Sequence, residues 1–158
     1  MQNKNGYSDI YDYVKTSWEE KMLADGVDLL ANAVFEKKGK FDEVVKTKFP
    51  ASVGRSISKL LKDESPEKIV EGLQEALTSL ESARITFAFE PSYAFLQEVS
   101  GWFKDNVGKN IILDVVYDPT IVGAVVVEYR GKHVNLSLNK KIEDYFVKAA
   151  QVETNSSI

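Results

Sequence analysis

The spacing of apolar side chains changes once along this chain, and that change limits the folds open to it. Up to Ala83, apolar residues recur every three or four positions, the period of a helix buried on one side. From Arg84 onward, stretches of strict alternation appear, the period of a strand. The 158 residues suffice for one domain or two small ones. We therefore predict an α+β fold: a helical bundle in residues 1–83, a unit with a mixed β-sheet and two helices in residues 84–150, and a disordered polar tail in residues 151–158.

The bundle is predicted to begin with two helices. The first ends near Gly26, and the second runs from Val27 to about Lys37, where Gly39 can stop it. The first helix has one apolar stripe that we expect to be buried: Tyr7, Ile10, Val14, Trp18 and Met22.

Three further helical segments complete the predicted bundle. A short turn starts at residues 41–45, and Ser52 can cap a helix that follows Pro50. The clearest start signal is Ser65-Pro66-Glu67, which places a capping hydroxyl, a proline at the first helical position and an acid in the first turn.

The second half is predicted to contain four strands and two helices. A strand at Ile85–Phe89 leads into a helix that Gly108 ends, and a second strand at Ile111–Tyr117 runs into the turn-forming pair Asp118-Pro119. Residues 122–129 and 133–138 form a hairpin, and Asn139 caps the last helix. The inward residues of that helix are Ile142, Tyr145, Phe146 and Ala149.

Composition and charge exclude several classes of protein. The chain has no cysteine and one histidine, so disulfides, thiolate nucleophiles and sulfur-ligated metal sites are excluded. A net charge of −4 argues against a nucleic acid as the main partner. The longest apolar run, Ile121–Val127, is too short to span a bilayer, and the polar start does not resemble a signal peptide. We expect a cytoplasmic protein without direct membrane insertion.

No motif predicts a catalytic, cofactor-binding or metal-binding residue. His133 is the only histidine, and we assign it to the surface of a strand. The segment around Gly54 lacks the spacing of a phosphate-binding loop. Acidic pairs occur at Asp25/Asp28, Asp42/Glu43 and Asp63/Glu64, and solvated helix faces or first-turn positions explain them.

Two pairs of adjacent aromatic residues are candidates for binding another protein. Trp102 with Phe103, and Tyr145 with Phe146, each give a helix an apolar face wider than contact with one sheet requires. Such a face can bind a partner protein, or it can pack between the sheet and the bundle. The residue pattern leaves both interpretations open.

The second half also resembles a known family. The segments that carry the likeness are Gly108-Lys109 at the end of a helix, Asp118-Pro119-Thr120-Ile121-Val122-Gly123, the strand Val125-Val126-Val127, and Asn135-Leu136-Ser137-Leu138 before a last helix. They resemble the C-terminal part of the delta subunit of F-type ATP synthases, called the oligomycin-sensitivity conferral protein in mitochondria. Ala124 replaces the family's second glycine, and Asn135 replaces its usual aspartate. Asp118 and Pro119 would reverse the chain, and Gly123 would permit a bulge or close backbone contact.

The resemblance implies a stator subunit. Such a subunit is not an enzyme and needs no cofactor; it joins the catalytic head to the peripheral stalk. The implied partners are the head's alpha and beta subunits, which the bundle would contact, and the helical stalk subunit b, for which Trp102, Phe103, Tyr145 and Phe146 are candidate contacts. The implied location is the cytoplasmic face of the inner membrane, through the complex. The family has a six-helix bundle, whereas the bundle here is shortened.

Two other functions remain open from the residues alone. A small enzyme without a cofactor would show a concave pocket with convergent polar groups and acids of shifted pKa. An adaptor unrelated to ATP synthase would bind a different partner.

Overall fold

The computed structural model describes residues 7–121 and 125–135. Within these two ranges, five helices come first, and a sixth lies between the first two of four strands. Their bounds are α1 Ser8–Tyr13, α2 Ser17–Ala33, α3 Lys40–Lys48, α4 Ala51–Leu60, α5 Pro66–Thr78, β1 Glu81–Phe87, α6 Tyr93–Asn106, β2 Ile111–Tyr117, β3 Val125–Tyr129 and β4 Lys132–Asn135. The predicted α+β class, with helices first and a mixed sheet after them, is confirmed.

The prediction of a single first helix is wrong, because the helix is interrupted between α1 and α2. Thr16 starts α2 with a capping box: its hydroxyl accepts a hydrogen bond from the Glu19 amide at 3.3 Å, and the Glu19 carboxylate accepts one from the Thr16 amide at 3.1 Å. Because of this interruption, α2 buries a different side from the one predicted. Trp18, expected inside, is 68% exposed, and the core takes Leu23, Val27 and Leu30 instead.

Gly26 does not end a helix as predicted, since α2 passes through it without interruption. A Cβ atom at Gly26 would lie 2.9 Å from Cζ of Phe49, so the missing side chain lets the Phe49 ring pack directly on α2. Gly39 lies before α3 with φ of 96°, a left-handed conformation that glycine adopts without strain. Its role is to start α3, not to stop a helix ending at Lys37.

The other helical starts are partly as predicted. The segment after Phe41 is a full helix, α3, and α4 begins at Ala51 directly after Pro50, so Ser52 lies inside the helix and does not cap it. The start at Ser65 is confirmed: its hydroxyl accepts from the Lys68 amide, and Pro66 is the first helical residue.

The sheet has the order β2-β1-β3-β4. Strand β1 pairs in parallel with β2 and antiparallel with β3, and β3 and β4 form an antiparallel hairpin. The bounds predicted for β2 are confirmed, whereas β1 begins at Glu81, so the predicted boundary after Ala83 falls inside a strand. The division into two domains stays a prediction.

Two apolar clusters form the core. One lies inside the bundle, and the other lies between the sheet and α6, where alternate residues of β1 (Ala83, Ile85 and Phe87) are buried. Ile112 links the two halves of the chain. It belongs to β2, yet its side chain points away from α6 and is buried in the bundle cluster at 2% exposure.

Several predictions lie outside the described residues. They are the beginning of the third strand at Val122, Gly123, the end of the fourth strand, the last helix with Tyr145 and Phe146, and the tail at residues 151–158. Within residues 7–121 and 125–135, no helix is both long and apolar enough to cross a bilayer.

Candidate interaction surfaces

Helix α6 presents one of the predicted aromatic pairs. Ser92 starts the helix by accepting a hydrogen bond from the Phe95 amide at 3.2 Å. Phe103 is 7% exposed and packs on the sheet, while Trp102 is 58% exposed. The two rings meet edge to face with centroids 5.3 Å apart. The buried ring therefore supports the exposed one.

Trp102 is part of a larger apolar surface. Phe95, Val99 and Trp102 follow one another along one side of α6 at helical spacing, and the ring of Phe89 lies 6.1 Å from that of Phe95. We call these four residues the α6 aromatic face. Phe89, Phe95 and Trp102 are exposed, and Val99 is half-buried. The buried ring of Phe87 lies beneath them, with its centroid 5.5 Å from that of Phe89 and 5.9 Å from that of Phe95. Large, rigid apolar side chains of this kind dominate the energetics of protein interfaces.

The predicted turn residues Asp118 and Pro119 follow β2. The Asp118 carboxylate accepts hydrogen bonds from the amide and hydroxyl of Thr120 at 2.9 and 2.6 Å, and these bonds lower its pKa. The Asp118 amide donates to the carbonyl of Phe87 at 2.9 Å. The turn is thus fixed to the end of β1, and the predicted chain reversal begins there.

On the face of the sheet opposite α6, charged residues form a row across the strands. Asp114, Arg84, Glu128 and His133 lie side by side on β2, β1, β3 and β4. Arg84 pairs with Asp114 at 2.9 Å, and His133 contacts Glu128 at 3.0 Å through Nδ1. His133 is exposed, as predicted for a residue on the surface of a strand.

Among the carboxylic acids that the structure describes, those with a shifted pKa have it lowered by hydrogen-bonding neighbours. Arg130 and then Tyr129 lower the pKa of Glu81, and backbone and Ser65 hydrogen bonds lower that of Glu67. Among the described residues, no group of three or more potential metal ligands occurs.

A buried carboxylate joins the bundle to α6. Glu19 is 3% exposed and uses both oxygens: one accepts from the Lys15 amide at 2.7 Å, and the other accepts from the Tyr93 hydroxyl at 2.8 Å. This bond to Glu19 raises the pKa of Tyr93. Glu19 therefore caps α2 and holds the first residue of α6.

Lys104 makes a second connection at the same junction. Its ammonium group donates to the carbonyl of Val14 at 2.7 Å and to that of Tyr11. These carbonyls lie at the C-terminal end of α1, where helices leave acceptors unpaired and where the last turn of α1 has no basic residue. Burial, and then the nearby Lys15, lower the pKa of Lys104. Lys104 thus caps a helix that lies far away in the sequence.

Replacing Lys104 by methionine is expected to reduce the free energy of unfolding by about 2 kcal/mol, because two carbonyls lose a charged donor while the apolar stem is kept. Urea unfolding of the two proteins measures this. Lys109→Met is the matched control and should change stability by less than about 0.5 kcal/mol. Equal stability of Lys104→Met and the native chain would show that the capping contributes nothing.

Neither Glu19 nor Lys104 was predicted from the sequence as a contact between the two halves. The spacing Thr16-x-x-Glu19 is a capping box and could have located the start of α2. Nothing in the sequence near Lys104 indicates its acceptors, which lie in another helix.

No protein-family model matches the chain, and no curated protein matches it. Among solved structures, a chain in the cryo-EM structure of the Toxoplasma gondii mitochondrial ATP synthase hexamer matches with a TM-score of 0.38 and 11% identity, over 95% of this chain and 98% of that one. A likeness this weak assigns neither a fold family nor a function.

Proposed function

We propose that this protein is a non-catalytic peripheral-stalk subunit of an F-type ATP synthase, of the delta type. It would link the catalytic head to the stalk during proton-driven ATP synthesis, so that the head does not turn with the rotor. The observation that carries the proposal is the order of elements: a helical bundle, then β1-α6-β2, then the Asp118-Pro119 turn and the β3-β4 hairpin. That order agrees with the family that these motifs resemble.

The junction between the two halves supports a mechanical role. A stator must transmit torque, so its head-binding and stalk-binding parts need to be joined firmly. Here Ile112 inserts into the bundle core, Glu19 binds Tyr93, and Lys104 caps α1. The Leu113 amide also donates to the Lys15 carbonyl at 2.8 Å. Apolar packing and charged hydrogen bonds thus act together across the junction.

Each half has an assigned partner in this proposal. The bundle faces the alpha and beta subunits of the head. The α6 aromatic face, which ends at Trp102, contacts the helical subunit b. Tyr145 and Phe146, which lie outside the described residues, contribute to the same contact. Phe103 acts from below by holding the Trp102 ring. The subunit is peripheral, on the cytoplasmic face of the inner membrane.

Co-purification tests this function. A tagged full-length chain, expressed in its native host, is recovered from gently solubilised membranes at low salt, and its partners are identified by mass spectrometry. Recovery of the alpha, beta and b subunits supports the proposal. Their absence, or recovery of an unrelated protein in their place, contradicts it and favours an adaptor of another kind.

Replacing Trp102 by glutamate is expected to reduce recovery of subunit b at least about tenfold, because a charge would take the place of a large aromatic side chain in an apolar contact. Trp18→Glu is the matched control, since Trp18 is also exposed, at 68% against 58% for Trp102, but lies on α2. It should leave recovery of subunit b unchanged. Equal recovery of subunit b with both variants would show that the α6 aromatic face does not contact the stalk.

A further inference from the structure

Helix α2 has an apolar side that faces solvent. Trp18, Met22 and Leu29 are large apolar side chains, all of them exposed, and Asp25, which is also exposed, lies between Met22 and Leu29. These four residues follow one another at intervals of four, three and four positions, so they lie on one side of the helix. We call them the α2 stripe. The side of α2 that is buried in the bundle is a different one, centred on Leu30.

Two charges of opposite sign lie along one flank of the α2 stripe. Lys21 lies on this flank in the first half of the stripe, and Asp28 lies on the same flank in the second half. Both are exposed. Within the part of the chain that the structure describes, neither of them forms an ion pair, and Asp25 forms none either. The flank is therefore positive towards one end and negative towards the other.

The α2 stripe is complementary to itself. In an antiparallel pair of α2 helices with their stripes in contact, a two-fold axis passes through the midpoint of the stripe. Trp18 of each copy then lies opposite Leu29 of the other, and Met22 of each copy lies opposite Asp25 of the other. Each large apolar end of the stripe is thus covered by the apolar end of the second copy.

The charged flank is complementary in the same arrangement. A two-fold axis perpendicular to both helices keeps each flank on its own side, so Lys21 of one copy faces the flank of the other copy that holds Asp28. At a rise of about 1.5 Å per residue, the two residues lie about 3 Å apart along the helix axis, and the pair occurs twice. Lys21 also lies near Asp25 of the other copy, whose carboxylate would otherwise face Met22 without a partner.

We propose that α2 is a dimer interface at which two copies of this chain pair antiparallel through the α2 stripe. The contact runs from Trp18 to Leu29, about 18 Å of helix. Specific interfaces at the small end of the size range are weak and transient, so we expect a dissociation constant on the order of 10–100 μM. Because the same surface is used by both copies, the contact closes on itself and association stops at the dimer.

The charge pattern favours a second copy over other occupants. A flank with charges of one sign would indicate an oppositely charged partner, such as an anionic lipid surface or a basic protein. The flank of the α2 stripe instead has one charge of each sign, one on either side of the midpoint. Two copies in antiparallel register satisfy both charges at once.

This inference goes beyond the proposed function and does not rest on it. The α2 stripe lies on a different helix from the α6 aromatic face, so a variant of Met22 should change dimer formation and leave recovery of subunit b unchanged. The two proposals can therefore fail separately: co-purification tests the complex, and the mass of the purified chain in solution tests the dimer.

Sedimentation velocity of the full-length chain, from about 5 to about 500 μM, measures the association. The native chain should pass from monomer to dimer over this range. Met22→Glu is expected to weaken the dimer at least about tenfold, because it places a charge in the apolar contact beside Asp25 of the other copy. Phe35→Glu, at an exposed position after the end of α2, is the matched control and should change it less than about twofold. A native chain that stays monomeric at about 500 μM, or that grows beyond the dimer, overturns the proposal.

Exchange of charges tests the antiparallel register without changing the apolar contact. Lys21→Asp alone, or Asp28→Lys alone, places like charges beside each other twice in the dimer and should weaken it about tenfold. An equimolar mixture of these two variants should form a heterodimer within about threefold of the native strength, because both pairs of opposite charges return. The chain with both substitutions should also dimerise like the native chain. Failure of the mixture to associate would show that α2 does not pair antiparallel with a second copy.

Discussion

Replacing Gly72 by alanine is expected to lower the free energy of unfolding by about 2 kcal/mol, although alanine favours helices over glycine. Gly72 lies inside α5, and its missing side chain makes room for Tyr7. A Cβ atom there would lie 2.3 Å from Cζ of Tyr7 and 2.4 Å from its hydroxyl oxygen. The ring would have to move and lose the hydrogen bond that its hydroxyl donates to Glu64 at 3.0 Å. Burial, and then this bond, raise the pKa of Tyr7 to about 12.

Gly101 is the matched control for this prediction. It also lies inside a helix, α6, but a Cβ atom there would meet nothing within 4 Å. Gly101→Ala is therefore expected to stabilise the protein by about 0.5–1 kcal/mol. Urea unfolding measures both effects, which should have opposite signs.

A double variant shows whether Tyr7 causes the loss. With Tyr7→Ala already present, Gly72→Ala should no longer destabilise and should show the ordinary preference of a helix for alanine. If Gly72→Ala were neutral or stabilising in the native chain, the contact between Tyr7 and α5 would be refuted.

Replacing Ile112 by alanine is expected to cost about 3 kcal/mol, because the side chain fills space in the bundle core from the sheet side. The loss should reach both halves of the chain. Hydrogen exchange should show reduced protection of amides in α2 as well as in β1. The native chain should unfold in one transition, since the bundle and the sheet share this residue.

Val116 is the control for Ile112. It lies on the same face of β2 but is only half-buried and is not part of the bundle cluster. Val116→Ala should cost less than about 1.5 kcal/mol. If Ile112→Ala changed exchange only in the sheet, the two halves would be mechanically independent, which would weaken the stator proposal.

Local signals in the sequence predicted the elements that depend on local chemistry. The proline and the capping hydroxyl at Ser65-Pro66 located α5, and alternation over Ile111–Tyr117 gave the bounds of β2. The Asp118-Pro119 turn follows from the same kind of signal. In each case, adjacent residues determine the backbone.

The errors have two sources, a local signal that was overlooked and contacts between residues distant in sequence. A helical period of apolar residues continues from Ile10 to Met22 and hides the interruption before Thr16 that turns Trp18 outward, although the capping box Thr16-x-x-Glu19 marks it. Gly26 was interpreted as the end of a helix, because its contact with the Phe49 ring is not visible in the sequence. Part of the α6 aromatic face was predicted, because the residue pattern identified Trp102 and Phe103 as a pair. Which of the two rings is exposed depends on packing against the sheet, which the pattern does not show.

The position of Ile112 also bears on how the chain folds during synthesis. Residues of the bundle leave the ribosome first and can form their local helical contacts, but their core lacks one side chain until β2 has emerged. Strand β1 cannot yet pair either, because both of its neighbours, β2 and β3, come later in the chain. A truncated product ending before residue 111 would therefore expose apolar surface in both halves, and it would be a substrate for chaperones and proteases.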